Sequence, residues 1–177
     1  MADSPKRVVL LGAESTGKTT LARSLAGAYS TVWNPEYGRA YTELGRPRGT
    51  AWTSEEFTHI ARLQCWYEDQ LAGCAQRVLF CDTDAHTTAV FHEIYLGAPT
   101  GAFDDLTART YDLQLLCGLD VPWEGDAVRE FAAGRRWMHE RFIERCERSG
   151  RPWVLLEGPH ETRVAASRSA VDALLAS

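Results

Sequence analysis

Several things are missing from this chain, and each absence removes a class of protein. Long apolar runs are missing. The longest, such as residues 8–11, are a strand's length, far short of the roughly 20 residues a membrane-spanning helix needs, so no membrane partner is expected. No charged-then-apolar leader opens the chain. Paired cysteines are missing too: Cys65, Cys74, Cys81, Cys117 and Cys146 are odd in number and form no C-x-x-C. That argues against a disulfide framework or a structural zinc site and for reduced thiols in a cytoplasmic protein. Positive charge is in deficit, with 19 Lys and Arg against 24 Asp and Glu for a net −5, so nucleic-acid binding through a general cationic field is not expected. There is no internal repeat, low-complexity tract or linker. The guanine-reading N/T-K-x-D of a GTPase is also absent, because Cys117-Gly118-Leu119-Asp120 lacks the Asn and the Lys.

What remains is a chain of 177 residues, 45% hydrophobic and 24% charged, sized for one domain over 1–177 with a substantial core. Its apolar runs alternate in kind. Strands are expected over 8–11, 31–33, 77–81, 111–117 and 152–156, and helices over 18–29, 53–71, 84–95, 127–148 and 162–175. Thr53-Ser54-Glu55-Glu56 offers a capping box for the second helix, and Gly134 a break within the fourth. Strand–helix alternation implies an α/β fold, a parallel sheet covered by helices on both faces.

One motif stands out between the first strand and the first helix. Gly12-Ala13-Glu14-Ser15-Thr16-Gly17-Lys18-Thr19 fits G-x-x-x-x-G-K-[ST]. Such a loop turns successive N–H groups inward, and the helix behind it adds the positive end of its dipole. Gly12, Glu14, Ser15, Thr16, Gly17, Lys18, Thr19 and Thr20 would then bind a nucleoside triphosphate. Lys18 would bridge the β- and γ-phosphates, and the Thr19 hydroxyl would bind Mg²⁺. The strand over 77–81 delivers Asp82-Thr83-Asp84 to the edge where α/β sheets bind ligands. Asp82 would hold Mg²⁺; Asp84 would bind substrate, cap the following helix, or do both.

A kinase needs an acceptor pocket beyond the second strand, where the chain reads Trp33-Asn34-Pro35-Glu36-Tyr37-Gly38-Arg39. Trp33 and Tyr37 could stack on a flat or cationic ring. Glu36 could take a hydroxyl proton, with Asp84 the rival base, and Arg39 could hold phosphoryl oxygens. Phe57, Ile60, Gln64, Tyr67 and Leu71 form a helical stripe in which Gln64 is the polar member, positioned for a ligand amide or for backbone. Arg129, Arg135 and Arg136 lie in a candidate lid at about 125–141, where they could neutralise a transferring phosphoryl group. The residues alone leave open a nucleoside or other small-molecule kinase and an NTP-hydrolysing regulatory module, with ATP or GTP as donor. A motor or AAA-type ATPase is usually longer than this chain.

Four blocks sharpen the choice: GAESTGKTTLARSLA, EYGRAY, FCDTDAHTTAVFHEIYLG and YDLQLLCGLDVPWEGDAVR. Together they resemble the ribosylnicotinamide kinase domain of the bifunctional NadR family, over nearly the whole chain. The resemblance implies a P-loop kinase with strand order 2-3-1-4-5. It implies transfer of the ATP γ-phosphoryl to the ribose 5′-hydroxyl of nicotinamide riboside, giving nicotinamide mononucleotide for NAD salvage. It also implies a nicotinamide ring stacked between two aromatics, with Tyr67 at the place of the family's helix Tyr. The family's other aromatic, a Trp, usually abuts E-Y-G-R. Here Pro35 does, and Trp33 is the nearest Trp. NadR proteins carry an adenylyltransferase domain before the kinase. Only residues 1–7 precede the first strand here, so neither NAD synthesis nor gene repression is expected of this chain alone.

Overall fold

The structure, a computed structural model, describes residues 4–121 and 134–177. The described strands are β1 (Lys6–Leu11), β2 (Trp33–Asn34), β3 (Val78–Asp82), β4 (Leu113–Cys117) and β5 (Trp153–Leu156). The helices are α1 (Lys18–Ala28), α2 (Tyr37–Leu44), α3 (Ser54–Ala72), α4 (Ala85–Leu96), the short α5 (Asp104–Thr107), α6 (Arg135–Arg148) and α7 (His160–Ala176). All four strand pairings are parallel, in the order β2-β3-β1-β4-β5, as the resemblance implies.

β1 is central, and its alternate residues build two cores. Val8 and Leu10 face Leu21 and Leu25 of α1 and Val171 of α7. Val9 and Leu11 face Val90 of α4 and Met138 and Phe142 of α6. With both faces covered, the strand has no polar side, which is why it reads as an unbroken apolar run. The register sets Leu10 beside Asp82, so the carboxylate lies on the strand adjoining the phosphate loop.

Two elements differ from the sequence expectation. β2 covers residues 33 and 34 rather than 31–33. Thr31 uses its side chain instead of a ladder position: its hydroxyl donates to the Val78 carbonyl at 2.8 Å and accepts from the Gln76 N–H at 3.1 Å. Residues after Glu36, expected as a turn, form α2. The capping box opens α3 as expected: Thr53 Oγ1 accepts from Glu56 N–H, and Glu56 Oε2 accepts from Thr53 N–H at 2.9 Å.

Candidate functional site

The phosphate loop leaves β1 through Gly12, whose φ of +143° suits glycine. A Cβ there would come 3.0 Å from the Cys117 carbonyl oxygen and 2.9 Å from Thr16 Oγ1, so no other residue fits without movement. Gly17 caps α1 with φ +82°. Lys18 is buried, and its Nζ donates to the Ala13 carbonyl at 2.9 Å. Residues 14–20 all line one open cleft.

Beneath that loop, Thr19 Oγ1 donates to Asp82 Oδ2 at 2.6 Å. Asp82 is fully buried, and its Oδ1 has no hydrogen-bond partner. Burial raises its carboxyl above the ordinary range, with Lys18 and Thr19 opposing the rise. A buried carboxylate oxygen without a partner is costly unless something charged meets it. A threonine hydroxyl beside a carboxylate oxygen is an oxygen-donor pair suited to Mg²⁺, so Thr19 and Asp82 fit the metal the sequence assigns to them.

Glu36, the residue before α2, lines the same cleft. Its side chain is not spent on capping, because Gln64 Oε1 of α3 accepts the Tyr37 N–H at 2.8 Å and so satisfies the first turn of α2. Burial pushes the Glu36 carboxyl up to about 7; Asp82 and Glu14 add to the rise, while Lys18 and Arg39 oppose it. Arg39 lines the same cleft and pairs with Glu43 at 2.8 Å. Gln64 is buried and lines the cleft; its Nε2, with no partner, is the donor left for a ligand.

The cleft also has aromatic lining, but through residues the sequence did not single out: Trp52, Phe91 and Tyr95, joined by Phe57 of the predicted stripe. Trp52 is held between two neighbours. The Arg46 guanidinium lies 3.7 Å from its ring centroid and Phe57 stacks at 4.9 Å. Arg46 is fixed in turn by Glu56 at 3.0 Å and by the Thr50 carbonyl at 2.8 Å. The available signal was helical spacing: Thr88, Phe91 and Tyr95 recur at three and four residues along α4.

Several expected site residues lie elsewhere. Trp33 packs on the α1 side of the sheet, with the Arg23 guanidinium 5.4 Å from its ring. Strand alternation puts Asn34, not Trp33, toward α3, where Asn34 Nδ2 donates to the Gln64 carbonyl at 3.2 Å. Tyr67 is 41% exposed and packs on Tyr37 at 5.8 Å, and neither ring lines the cleft. One turn past Gln64, the α3 stripe has left the cleft. Asp84 is the N-cap of α4. Its Oδ1 accepts from Thr87 N–H and Oγ1 at 3.0 and 2.9 Å, and its Oδ2 accepts from Arg145 at 2.5 Å. Burial alone would raise this carboxyl, yet Arg145 holds it below the ordinary range. Both oxygens are thus engaged in capping α4 and pairing with Arg145, which makes the structural role of Asp84 the one the geometry shows. Arg136 is 87% exposed at its side chain and pairs with Glu140 one turn on. Arg135 turns inward, donating to the Val121 carbonyl at 3.1 Å, close enough to the phosphate loop to feel Glu14. Arg129 and most of the candidate lid lie outside the described residues.

Comparison with known proteins agrees with this fold. The trifunctional NAD biosynthesis/regulator protein NadR of Escherichia coli is 31% identical over 157 residues, which are 86% of this chain and 38% of NadR. The chain thus spans well under half the length of that relative. A crystal structure of NadR protein in complex with NR matches with a TM-score of 0.81 at 24% identity, covering 98% of this chain and 52% of that one. Thymidylate kinase from Ehrlichia chaffeensis matches with a TM-score of 0.67 at 11% identity, covering 96% and 100%. These structural likenesses concern the fold. No helix among the described residues is long and apolar enough to cross a membrane. Length counted against an AAA-type ATPase, but size alone does not exclude the label: residues 7–163, from β1 to the first turn of α7, match a family described as AAA domain, and the protein belongs to that family, AAA_28.

Proposed function

We propose that this chain is a magnesium-dependent kinase that transfers the γ-phosphoryl of ATP to the ribose 5′-hydroxyl of nicotinamide riboside, giving nicotinamide mononucleotide. The observation that carries the reading is the set of groups gathered in one cleft. A phosphate loop, the Glu36 carboxyl with its raised pKa, and the rings of Trp52, Phe57, Phe91 and Tyr95 all line it. The acceptor's identity is supported by the relative, a NAD biosynthesis protein, and by the NadR structure that holds NR. The NadR structure with NAD and AMP-PNP supports an adenine nucleotide as donor.

The residues divide the work by position. Loop N–H groups and Lys18 hold the triphosphate, Lys18 exchanging the Ala13 carbonyl for phosphate oxygens. Thr19 and Asp82 would hold Mg²⁺, whose charge lowers the cost of bringing an anionic donor into the site. Phe91 and Tyr95, which pack on each other and line the cleft with Trp52 and Phe57, are assigned to the acceptor's ring. Gln64 Nε2 can donate to the acceptor's carboxamide oxygen. The acceptor O–H bond breaks as its oxygen bonds to phosphorus, the proton passes to the Glu36 carboxylate, and the bond to the leaving ADP oxygen breaks. Arg39, with Arg135 and Arg129 from a lid at about 125–141, is assigned to the charge on the transferring group. The five free thiols suit a cytoplasmic setting.

Product analysis by phosphorus NMR with MgATP and a panel of ribosides tests this reading. The expected product is the 5′-phosphate of nicotinamide riboside, with Lys18→Ala reducing turnover by several powers of ten. A neutral nucleoside turning over better would overturn the acceptor, and ATP hydrolysis without any phosphorylated acceptor would overturn the kinase in favour of a nucleotide-hydrolysing module.

A further inference from the structure

Arg163, in the first turn of α7, is buried to 4% exposure, and all three nitrogens of its guanidinium are bonded to different parts of the chain. Nη1 donates to the Thr16 carbonyl of the phosphate loop at 2.9 Å. Nη2 donates to Asp120 Oδ1, just beyond β4, at 2.5 Å, and Nε donates to the Gly158 carbonyl, beyond β5, at 3.0 Å. Asp120 closes the ring, its Oδ2 accepting the Gly158 N–H at 2.6 Å. Burial alone would raise the Asp120 carboxyl; the Gly158 N–H and Arg163 hold it below its ordinary value instead. A buried charge is an expensive way to join three loops unless its position has a use.

We propose that Arg163 is a positioning residue for phosphoryl transfer: it fixes the peptide between Thr16 and Gly17 so that the Gly17 N–H is aimed at the donor's phosphates. A trans peptide is planar, so anchoring its carbonyl on one side sends its N–H to the other. The Thr16 carbonyl is anchored toward α7, and Gly17 lines the cleft. Thr16 Oγ1 donates to the Ala13 carbonyl and the Gly17 carbonyl accepts the Leu21 N–H, but among the described residues Arg163 is the partner shown for the Thr16 carbonyl itself. Gly17 carries no side chain to wedge this turn in place, and a Cβ there would meet open space. The guanidinium charge also polarises the peptide it binds, strengthening the N–H as a donor. The inference rests on reading the loop as a triphosphate site and is independent of the acceptor.

The test compares Arg163→Lys and Arg163→Met with wild type by isothermal titration of MgADP and of nicotinamide riboside, by steady-state kinetics, and by the Gly17 amide resonance in the MgADP complex. The expected result is a loss of roughly 10- to 100-fold in MgADP affinity and in kcat/KM for ATP, the size seen when groups behind a ligand-binding shell are removed. Acceptor affinity should stay within about twofold of wild type in the folded fraction. The Gly17 amide proton should move upfield in the MgADP complex of Arg163→Lys, and guanidinium added at millimolar concentration should restore part of the nucleotide affinity of Arg163→Met. A merely structural role predicts equal losses for both ligands, an unmoved Gly17 resonance and no rescue, and that pattern overturns the proposal. So does unchanged nucleotide affinity in Arg163→Lys. Wild-type binding of MgADP is the control: its absence would overturn the kinase reading as a whole, whereas its presence with an indifferent Arg163→Lys overturns this inference alone.

Discussion

As the proposed base, Glu36 would raise activity and lower stability at once. Its carboxyl stays protonated to about pH 7 in the folded protein, against an ordinary value of 4.5. The native state therefore binds the extra proton between those values, and stability falls as pH rises through that window. The base form predominates only above about 7, so kcat/KM should rise through that pH and level off. Glu36→Gln is expected to flatten this profile, lower kcat by about 10²- to 10⁴-fold and unfold at a higher temperature than wild type at pH 8. A Glu36→Gln variant that keeps the wild-type pH profile would show that another group is the base. A second residue-scale prediction separates the aromatics. Phe91→Leu should raise the acceptor KM by about 2- to 30-fold, the equivalent of one cation–π contact of roughly 0.5–2 kcal/mol. Trp33→Leu, on the opposite face of the sheet, should leave acceptor KM unchanged and cost stability on the order of 1 kcal/mol. The reverse pattern in steady-state kinetics would return the acceptor to Trp33.

At the scale of elements, the start of α4 is secured by a buried ion pair between Asp84 and Arg145 of α6. Removing one member leaves the other charge buried and alone, so Asp84→Ala should cost about 3–5 kcal/mol in urea unfolding, with acceptor KM little changed in protein that remains folded. Unaltered stability with a large rise in acceptor KM would put Asp84 back in the substrate site. The phosphate loop, the capping box and the strand bearing Asp82 were legible in the sequence because each depends on neighbours in the chain: a glycine spacing, a Thr with a Glu three residues on, an apolar run ending in Asp. The acceptor chamber was not, because its walls come from three separate segments. Whether Gln64 or Tyr67 faces the cleft depends on where α3 passes it, and that is set by α2, a helix the sequence reading took for a turn. Trp33 and Asn34 differ by one residue in register, enough to reverse which of them faces the cleft. Arg163 and Asp120 are 43 residues apart and carry no local signal of their bond.

Over the whole molecule, the two proposed substrates would meet opposite electrostatics. The chain's formal charge is −5, while the cleft itself sets Glu14 and Glu36 beside Lys18 and Arg39. The chain's overall field would attract a pyridinium riboside and repel MgATP, which would rely on Lys18, Arg39 and loop N–H groups at close range. Screening acts on the long-range part: the Debye length falls from about 30 Å at 0.01 M salt to about 10 Å at 0.1 M. Raising salt across this range should therefore raise KM for nicotinamide riboside by a few-fold while leaving KM for MgATP level or lower. A neutral acceptor, such as the reduced riboside, should show no such dependence. Initial rates at fixed Mg²⁺ with varied potassium chloride would decide it. If KM for the cationic riboside falls with salt, or follows the neutral one, the negative field of the protein has no part in choosing the acceptor, and its selection rests on contacts within the aromatic chamber alone.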